Sequence, residues 1–305
     1  MFFPLLQLLV GLVGLVYGGK RVVDDASAFA HEWGVPRLFI GVTFVAIGSS
    51  IPEIAASVYA GLYQSPQFVV GHIAGSATAQ ITVGVGVVAL LSPLSLERSK
   101  IRLYGGGMVA AMGLMLVSVR SGRTTRLEGM LLVAAYLLFL AASYERLDLH
   151  DTVDRRVSDR TTGPRAAVGL LAGLVFVVAG GHLLVVGSRE VALVVGVPPL
   201  AIGLITGLGT TAPEIVVAAM AVLKHRSGIA IGTLLGSNVT DPLFSFGLGA
   251  AVGGFSFGNP EVVMASTAYM LLASVIVVGI FLVRGEIGRR GAVCCISLYV
   301  PTFLV

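Results

Sequence analysis

The sequence predicts an all-α polytopic membrane protein of ten transmembrane helices, built as two inverted five-helix repeats with broken helices 2, 3, 7 and 8. Three observations carry this reading: an oily composition, ten separate apolar runs, and segments that return in order about 161 residues later.

Of 305 residues, 56% are hydrophobic and only 12% charged, whereas a soluble domain carries about 25% charged residues. Mean hydropathy is +0.94. Apolar runs cover residues 1–19, 38–63, 66–96, 103–119, 127–143, 166–187, 191–223, 228–258, 260–283 and 291–305. A helical crossing takes about 20 such residues, so each run is one expected span. None shows the polar/apolar alternation of a membrane barrel strand. The first run precedes its positive charges, Lys20 and Arg21, which is the reverse of a cleavable signal peptide, so a retained first helix is expected. Cys294 and Cys295 are adjacent, a layout that suits apolar packing better than a disulfide. The basic excess reports orientation rather than nucleic-acid binding. With the N-terminus outside, sixteen Lys and Arg fall on the cytoplasmic side and four outside, so both ends are expected outside a cell membrane.

"GLVGLVYGGKRVV…GVPRLFIG" (Gly11 to Gly41) matches "GLVFVVAGGHLLV…GVPPLAIG" (Gly173 to Gly203) at an offset of 162. "GSSIPEI" (Gly48 to Ile54) matches "GTTAPEI" (Gly209 to Ile215) at 161, and "GHIAGSATAQ" (Gly71 to Gln80) matches "GTLLGSNVTD" (Gly232 to Asp241) at 161. The expected organisation is a first repeat over 1–144, a cytoplasmic linker over 145–164 and a second repeat over 165–305. Five crossings per repeat send the second into the membrane from the opposite face. The one residue missing between Gly203 and Gly209 turns a helix by about 100°, so unwinding is expected ahead of Glu214.

Glu53, Glu214 and Asp241 are the acids deep within apolar runs. Each charge at a bilayer centre costs at least roughly 2.5–3.5 kcal/mol, and no Lys or Arg lies at that depth to compensate. A bound cation is one answer and protonation its rival. Pro52 and Pro213 lack an amide, which deprives the carbonyls of Gly48 and Gly209 of helical donors. Those carbonyls, the hydroxyls of Ser49, Ser50, Thr210 and Thr211, and the carboxylates make an all-oxygen set suited to a hard cation such as Ca²⁺. Taken singly, each proline reads as a kink, and Ser76 and Ser237 as small packing residues. Their recurrence in both halves favours a site. His72 and His182 read as interfacial packing or caps, and Tyr17 and Tyr59 as core or interface residues.

At these residues the chain resembles the sodium/calcium exchanger family of the calcium/cation antiporter superfamily, prokaryotic type. Gly48-Ser49-Ser50-Ile51-Pro52-Glu53 and Gly209-Thr210-Thr211-Ala212-Pro213-Glu214 fill the family's G-T-S-x-P-E pattern. Gly71-His72, Gly75-Ser76 with Gln80, and Gly232-Thr233, Gly236-Ser237-Asn238 with Asp241, fill its G-N-x-x-G-S-N pattern. The resemblance implies that Glu53 and Glu214 are shared Ca²⁺ and Na⁺ ligands. Ser49, Ser50, Thr210 and Thr211 would add oxygens, and Ala46 and Gly207 backbone carbonyls. Ser76 and Ser237 would serve flanking Na⁺ sites, while Gln80 and Asp241 would line the middle. Gln80 stands where Asn is usual, and His72 and Thr233 replace the Asn of "GN". The expected activity is Na⁺/Ca²⁺ antiport, with the two ions as substrates, the lipid bilayer as surroundings and no cofactor. Rival readings are an H⁺-coupled, K⁺-dependent or other divalent-cation antiporter, a channel, or an intramembrane hydrolase. "HEWGV" (His31 to Val35) lacks the second histidine that a zinc protease needs.

Overall fold

The computed structural model describes residues 2–63, 66–145, 164–195 and 211–303. The expected linker, Gly203, Gly207, Gly209, Thr210 and the one-residue deletion lie outside the described residues. Six described helices are long and apolar enough to cross a membrane, and the chain is a multi-pass membrane protein. It sorts into two compact units, residues 1–49 with 148–233 and residues 50–147 with 234–305.

In the first unit, α1 (Phe2–Trp33) packs along α10 (Pro164–Val195), and both are 32 residues long. Glycines set how closely they approach. A Cβ on Gly18 would lie 2.8 Å from Gly173 O and Val177 N, and one on Gly180 would lie 2.7 Å from Leu15 N. These are the glycines of the repeated "GLVGLVYGG" and "GLVFVVAGG" words, and they form a small-residue helix contact. Leu5, Leu9, Leu12 and Val16 remain exposed for lipid.

α1 runs well past the expected 1–19. It rises about 48 Å, against roughly 30 Å of hydrocarbon. Its continuation is amphipathic: Val22, Val23, Ala26 and Ala30 are buried, and Arg21 pairs with Asp25 at 2.6 Å. Asp24 meets Lys224 at 2.6 Å and Arg226 at 3.1 Å, which ties α1 to the turn between α11 (Ala212–Leu223) and α12 (Ser227–Thr240). α2 (Arg37–Ile40), a π-helical turn (Gly41–Val45) and α3 (Ala46–Ser49) complete the described part. Gly41 and Gly232 meet backbone to backbone, a built Cβ on either falling 3.0 Å from the other's Cα.

The second unit holds α4 (Ile51–Tyr63), α5 (Pro66–Ala79), a π turn (Gln80–Gly84) and α6 (Val85–Leu91). α7 (Arg98–Lys100), a π turn (Ile101–Gly105), α8 (Gly106–Val119) and α9 (Arg126–Glu145) follow. α9 opens with a reciprocal cap: Thr125 N donates to Glu128 Oε2 at 2.7 Å, and Glu128 N donates to Thr125 Oγ1 at 3.2 Å. The C-terminal half of α12 continues into a π turn (Asp241–Ser245) and α13 (Phe246–Gly253). α14 (Pro260–Arg284) starts on a proline and stops at Gly285, whose φ of 73° ends a helix at no Cβ cost. α13 packs on α4 and α9, α14 on α5 and α8, and α15 (Arg289–Ser297) on α6.

Two miniature ribbons join the halves of the sequence. β1 (Leu94–Ser95) pairs antiparallel with β4 (Glu286–Ile287), and β2 (Arg123–Thr124) with β3 (Phe255–Ser256).

Two expectations change. Helices 3 and 8 do not break at their polar motifs. Helical structure is continuous from Pro66 to Leu91 and from Ser227 to Gly253, with one π turn in each. A π turn shifts the ladder by one residue without opening the chain. Among the described residues the tenth span, 291–305, holds only seven of the nine residues of α15 and a 3-10 turn at Val300–Phe303. Nine residues rise about 13 Å, and Pro301 cannot continue the helix.

Candidate functional site

In the second unit the site begins where the helix stops. Ser50 is a turn residue between α3 and α4. Pro52 is tolerated in the first turn of α4, where its missing N–H breaks no bond. Ile54 N donates to Ser50 O at 3.0 Å, which restarts the ladder. Glu53 follows in that first turn, fully buried, and Ser57 lies one turn further on, also buried.

α5 and the π turn after it place His72, Ser76 and Gln80 four residues apart, which is one face of a helix. Ser76 Oγ donates to Ile73 O at 3.3 Å, and His72 Nε2 lies 3.9 Å from Glu53 Oε1. Gln80 Nε2 donates to Asp241 Oδ2 at 3.3 Å, so the repeat-matched pair is in contact. Both residues open their π turns, and the hydroxyls of Ser50 and Ser245 face the same carboxyl. Asn238 Nδ2 donates to Leu234 O at 2.8 Å, and Thr240 Oγ1 lies 3.3 Å from the Tyr136 hydroxyl. Among the described residues, Asp241 Oδ1, Gln80 Oε1 and Ser237 Oγ are buried with no hydrogen bond of ordinary geometry. Buried polar atoms are nearly always satisfied, so this constellation has capacity for a ligand.

In the first unit Ala46 and Ser49 end the broken helix, both buried, with Ser49 Oγ donating to Ala46 O at 3.3 Å. Thr211 occupies the N-cap position of α11, and Ile215 N donates to its carbonyl at 3.1 Å. Pro213 and Glu214 fill the first turn, Glu214 fully buried. Gly181 of α10 leaves room for the proline ring, since a Cβ there would stand 2.8 Å from Pro213 Cγ. Gly207 and Thr210, also expected as ligands, are not among the described residues.

Ser50, Glu53, Ser76, Gln80, Ser237 and Asp241 thus belong to one unit, and Ala46, Ser49, Thr211 and Glu214 to the other. Every one of them is at most 1% exposed. No Lys or Arg is buried among the described residues. In the second unit, the carboxyl of Asp241, the amide oxygen of Gln80 and the hydroxyls of Ser50, Ser237 and Ser245 are oxygen donors of the kind that suits a hard cation.

Sequence reasoning missed three features. Asp25 is a fourth buried acid, at 3% exposure, and its i,i+4 spacing from Arg21 was the available signal. Ser245 joins Asp241 from within the π turn. His72 faces Glu53 rather than an interface; its spacing puts it on the helix face of Ser76 and Gln80, but its partner lies on another helix.

Fold and site together define a multi-pass membrane cation transporter. The sequence profile of the sodium/calcium exchanger protein family matches residues 3–145 and 165–304, and the chain belongs to that family. It is therefore a transporter and not an enzyme. It is 31% identical over 284 residues to the putative antiporter CaxA of Alkalimonas amylolytica, spanning 87% of this chain and 88% of that one. It is also 31% identical over 342 residues to the sodium/calcium exchanger MaX1 of Methanosarcina acetivorans, spanning 98% and 97%. A structure of the sodium-calcium exchanger NCX_Mj, soaked without Na⁺ and Ca²⁺, superposes with a TM-score of 0.83 at 24% identity over 99% of this chain and 98% of that one. That likeness establishes a shared fold.

Proposed function

We propose that the protein is a secondary antiporter that exchanges Na⁺ for Ca²⁺ by alternating access at one shared carboxylate site near the midplane. The observation that carries this reading is the doubled Pro-Glu turn, which sets a fully buried glutamate in the first turn of a helix in each half of the sequence. Glu53 and Glu214 share the ions. Ser49, Ser50, Thr210 and Thr211 add oxygens, as do the carbonyls of Ala46 and Gly207. Ser76 and Ser237 serve flanking Na⁺ positions, and Gln80 and Asp241 line the middle. Exchange follows from exclusive occupancy: a site filled by either ion reorients, and an empty site with uncompensated carboxylates does not.

The two five-helix halves, 1–144 and 165–305 about the 145–164 linker, are related by inversion in this reading, with the linker cytoplasmic and both ends outside a cell membrane. The ribbons support it. β1 and β3 stand 161 residues apart and β2 and β4 163, so a two-fold relation between halves carries the β1–β4 pair onto the β3–β2 pair. The α1–α10 contact maps onto itself in the same way.

The test is ⁴⁵Ca²⁺ uptake by Na⁺-loaded proteoliposomes. Uptake should rise as external Na⁺ falls and vanish without internal Na⁺. Uptake that ignores internal Na⁺ but follows an imposed pH gradient overturns the Na⁺ coupling in favour of H⁺. A strict requirement for K⁺ makes the protein a K⁺-dependent antiporter.

A further inference from the structure

His72 has no role in the exchange described above, yet its Nε2 stands 3.9 Å from Glu53 Oε1, and the Glu53 side chain is fully buried. The two are held there by rigid elements, the first turn of α4 and the second turn of α5, which pack on each other. Each helix carries a buried serine one turn beyond, Ser57 after Glu53 and Ser76 after His72. Ser57 Oγ has no hydrogen bond of ordinary geometry among the described residues. The matching position of the second half is Thr233, a hydroxyl, so the repeat does not duplicate this ring nitrogen.

We propose that Glu53 and His72 form a binding position for a divalent ion that takes nitrogen as readily as oxygen, of which Zn²⁺ and Ni²⁺ are the chemical type. Ca²⁺ seeks six to eight oxygens and gains little from imidazole, whereas imidazole suits Zn²⁺ and Ni²⁺. One ion with bonds of about 2.0–2.2 Å spans the observed gap at an open N–metal–O angle of roughly 140°, and an approach of about 0.5 Å makes that angle tetrahedral. With no cluster of three His, Cys, Asp or Glu among the described residues, water or serine hydroxyls complete the shell. Binding is accordingly exchangeable, unlike a four-ligand structural zinc site. Because Glu53 cannot serve two ions at once, such an ion competes with the transported cation. This holds whichever ion pair the antiporter exchanges.

The experiment is Zn²⁺ titration of the purified full-length chain in lipid nanodiscs, with X-ray absorption at the zinc edge to identify the ligand atoms. Wild type, His72→Asn and His72→Cys are compared. Wild type should bind Zn²⁺ with a nitrogen ligand that His72→Asn loses, with affinity falling roughly 10–100-fold, a loss of the order seen when even a ligand's outer partner is removed. His72→Cys should keep tight binding and show sulfur instead. Equal Zn²⁺ affinity and an unchanged spectrum in His72→Asn overturn the proposal, as does a wild type that binds Ca²⁺ but no Zn²⁺. Melting curves without metal show whether each variant is folded, and His72→Gln replaces the asparagine variant if that one is not. Vesicle exchange of ⁴⁵Ca²⁺ judges the antiport reading separately.

Discussion

Shortening Gln80 by one methylene should loosen Asp241 and tighten cation binding at the middle of the site. Gln80 Nε2 reaches Asp241 Oδ2 at 3.3 Å. Withdrawing the amide by about 1.3–1.5 Å, one carbon–carbon step, carries the pair beyond hydrogen-bond range. The vacated space is on the order of one water molecule, ~30 Å³. Hydrogen bonds between helices of membrane proteins contribute about 0.6 kcal/mol, and ~1.7 at most. A cation that recruits Asp241 no longer has to break that bond in Gln80→Asn. The half-saturating Ca²⁺ concentration should therefore fall about threefold, and by no more than roughly twentyfold. The assay is a double-mutant cycle of Gln80→Asn and Asp241→Asn, read by unfolding in nanodiscs and by ⁴⁵Ca²⁺ exchange. Coupling between the two sites should match the bond, about 0.6 kcal/mol. Additive effects, or exchange curves of wild type and Gln80→Asn that overlay, would show that the contact does not hold Asp241.

Charge balance assigns different weights to the three site acids. Ca²⁺ is neutralised by Glu53 and Glu214, so Glu53→Gln and Glu214→Gln should abolish exchange in vesicles while Asp241→Asn retains a substantial fraction; a dead Asp241→Asn beside an active Glu53→Gln reverses the assignment. For topology, Thr152→Cys in a background without Cys294 and Cys295 should resist an impermeant thiol reagent in intact cells, and labelling from outside would invert the proposed orientation.

Much of the site was legible because it rests on short-range rules. Proline removes a donor wherever it stands, and a carboxylate in an apolar run must find compensation, so Pro52-Glu53 and Pro213-Glu214 marked themselves. The glycines of the α1–α10 contact were visible as repeated words before their packing was known. Other features depend on what sequence patterns do not encode. Counting apolar residues measures hydrocarbon crossed and misses the part of α1 beyond Lys20, which packs by one buried face. A π turn costs one peptide unit's change of partner and leaves hydrophobic periodicity nearly intact, so the expected breaks at Gln80 and Asp241 are π turns within unbroken helices. The His72–Glu53 approach joins two helices, and only their packing reveals it.

The crossed ribbons bear on how the chain is made. Leu94 and Ser95 lie beside Ile287 and Glu286, and Arg123 and Thr124 beside Ser256 and Phe255. At about 5–20 residues per second, the partner of Leu94 leaves the ribosome roughly 10–40 s after it. Until its partner emerges each earlier strand is an open edge, short and with charge in or beside it at Glu97, Arg98, Arg123 and Arg126, which discourages pairing with a stranger. Folding of this unit is thus completed from its C-terminal end. A ribosome stalled or a message truncated before residue 287 leaves a nascent product with its first ribbon unclosed, and such a product is a natural substrate for membrane quality control.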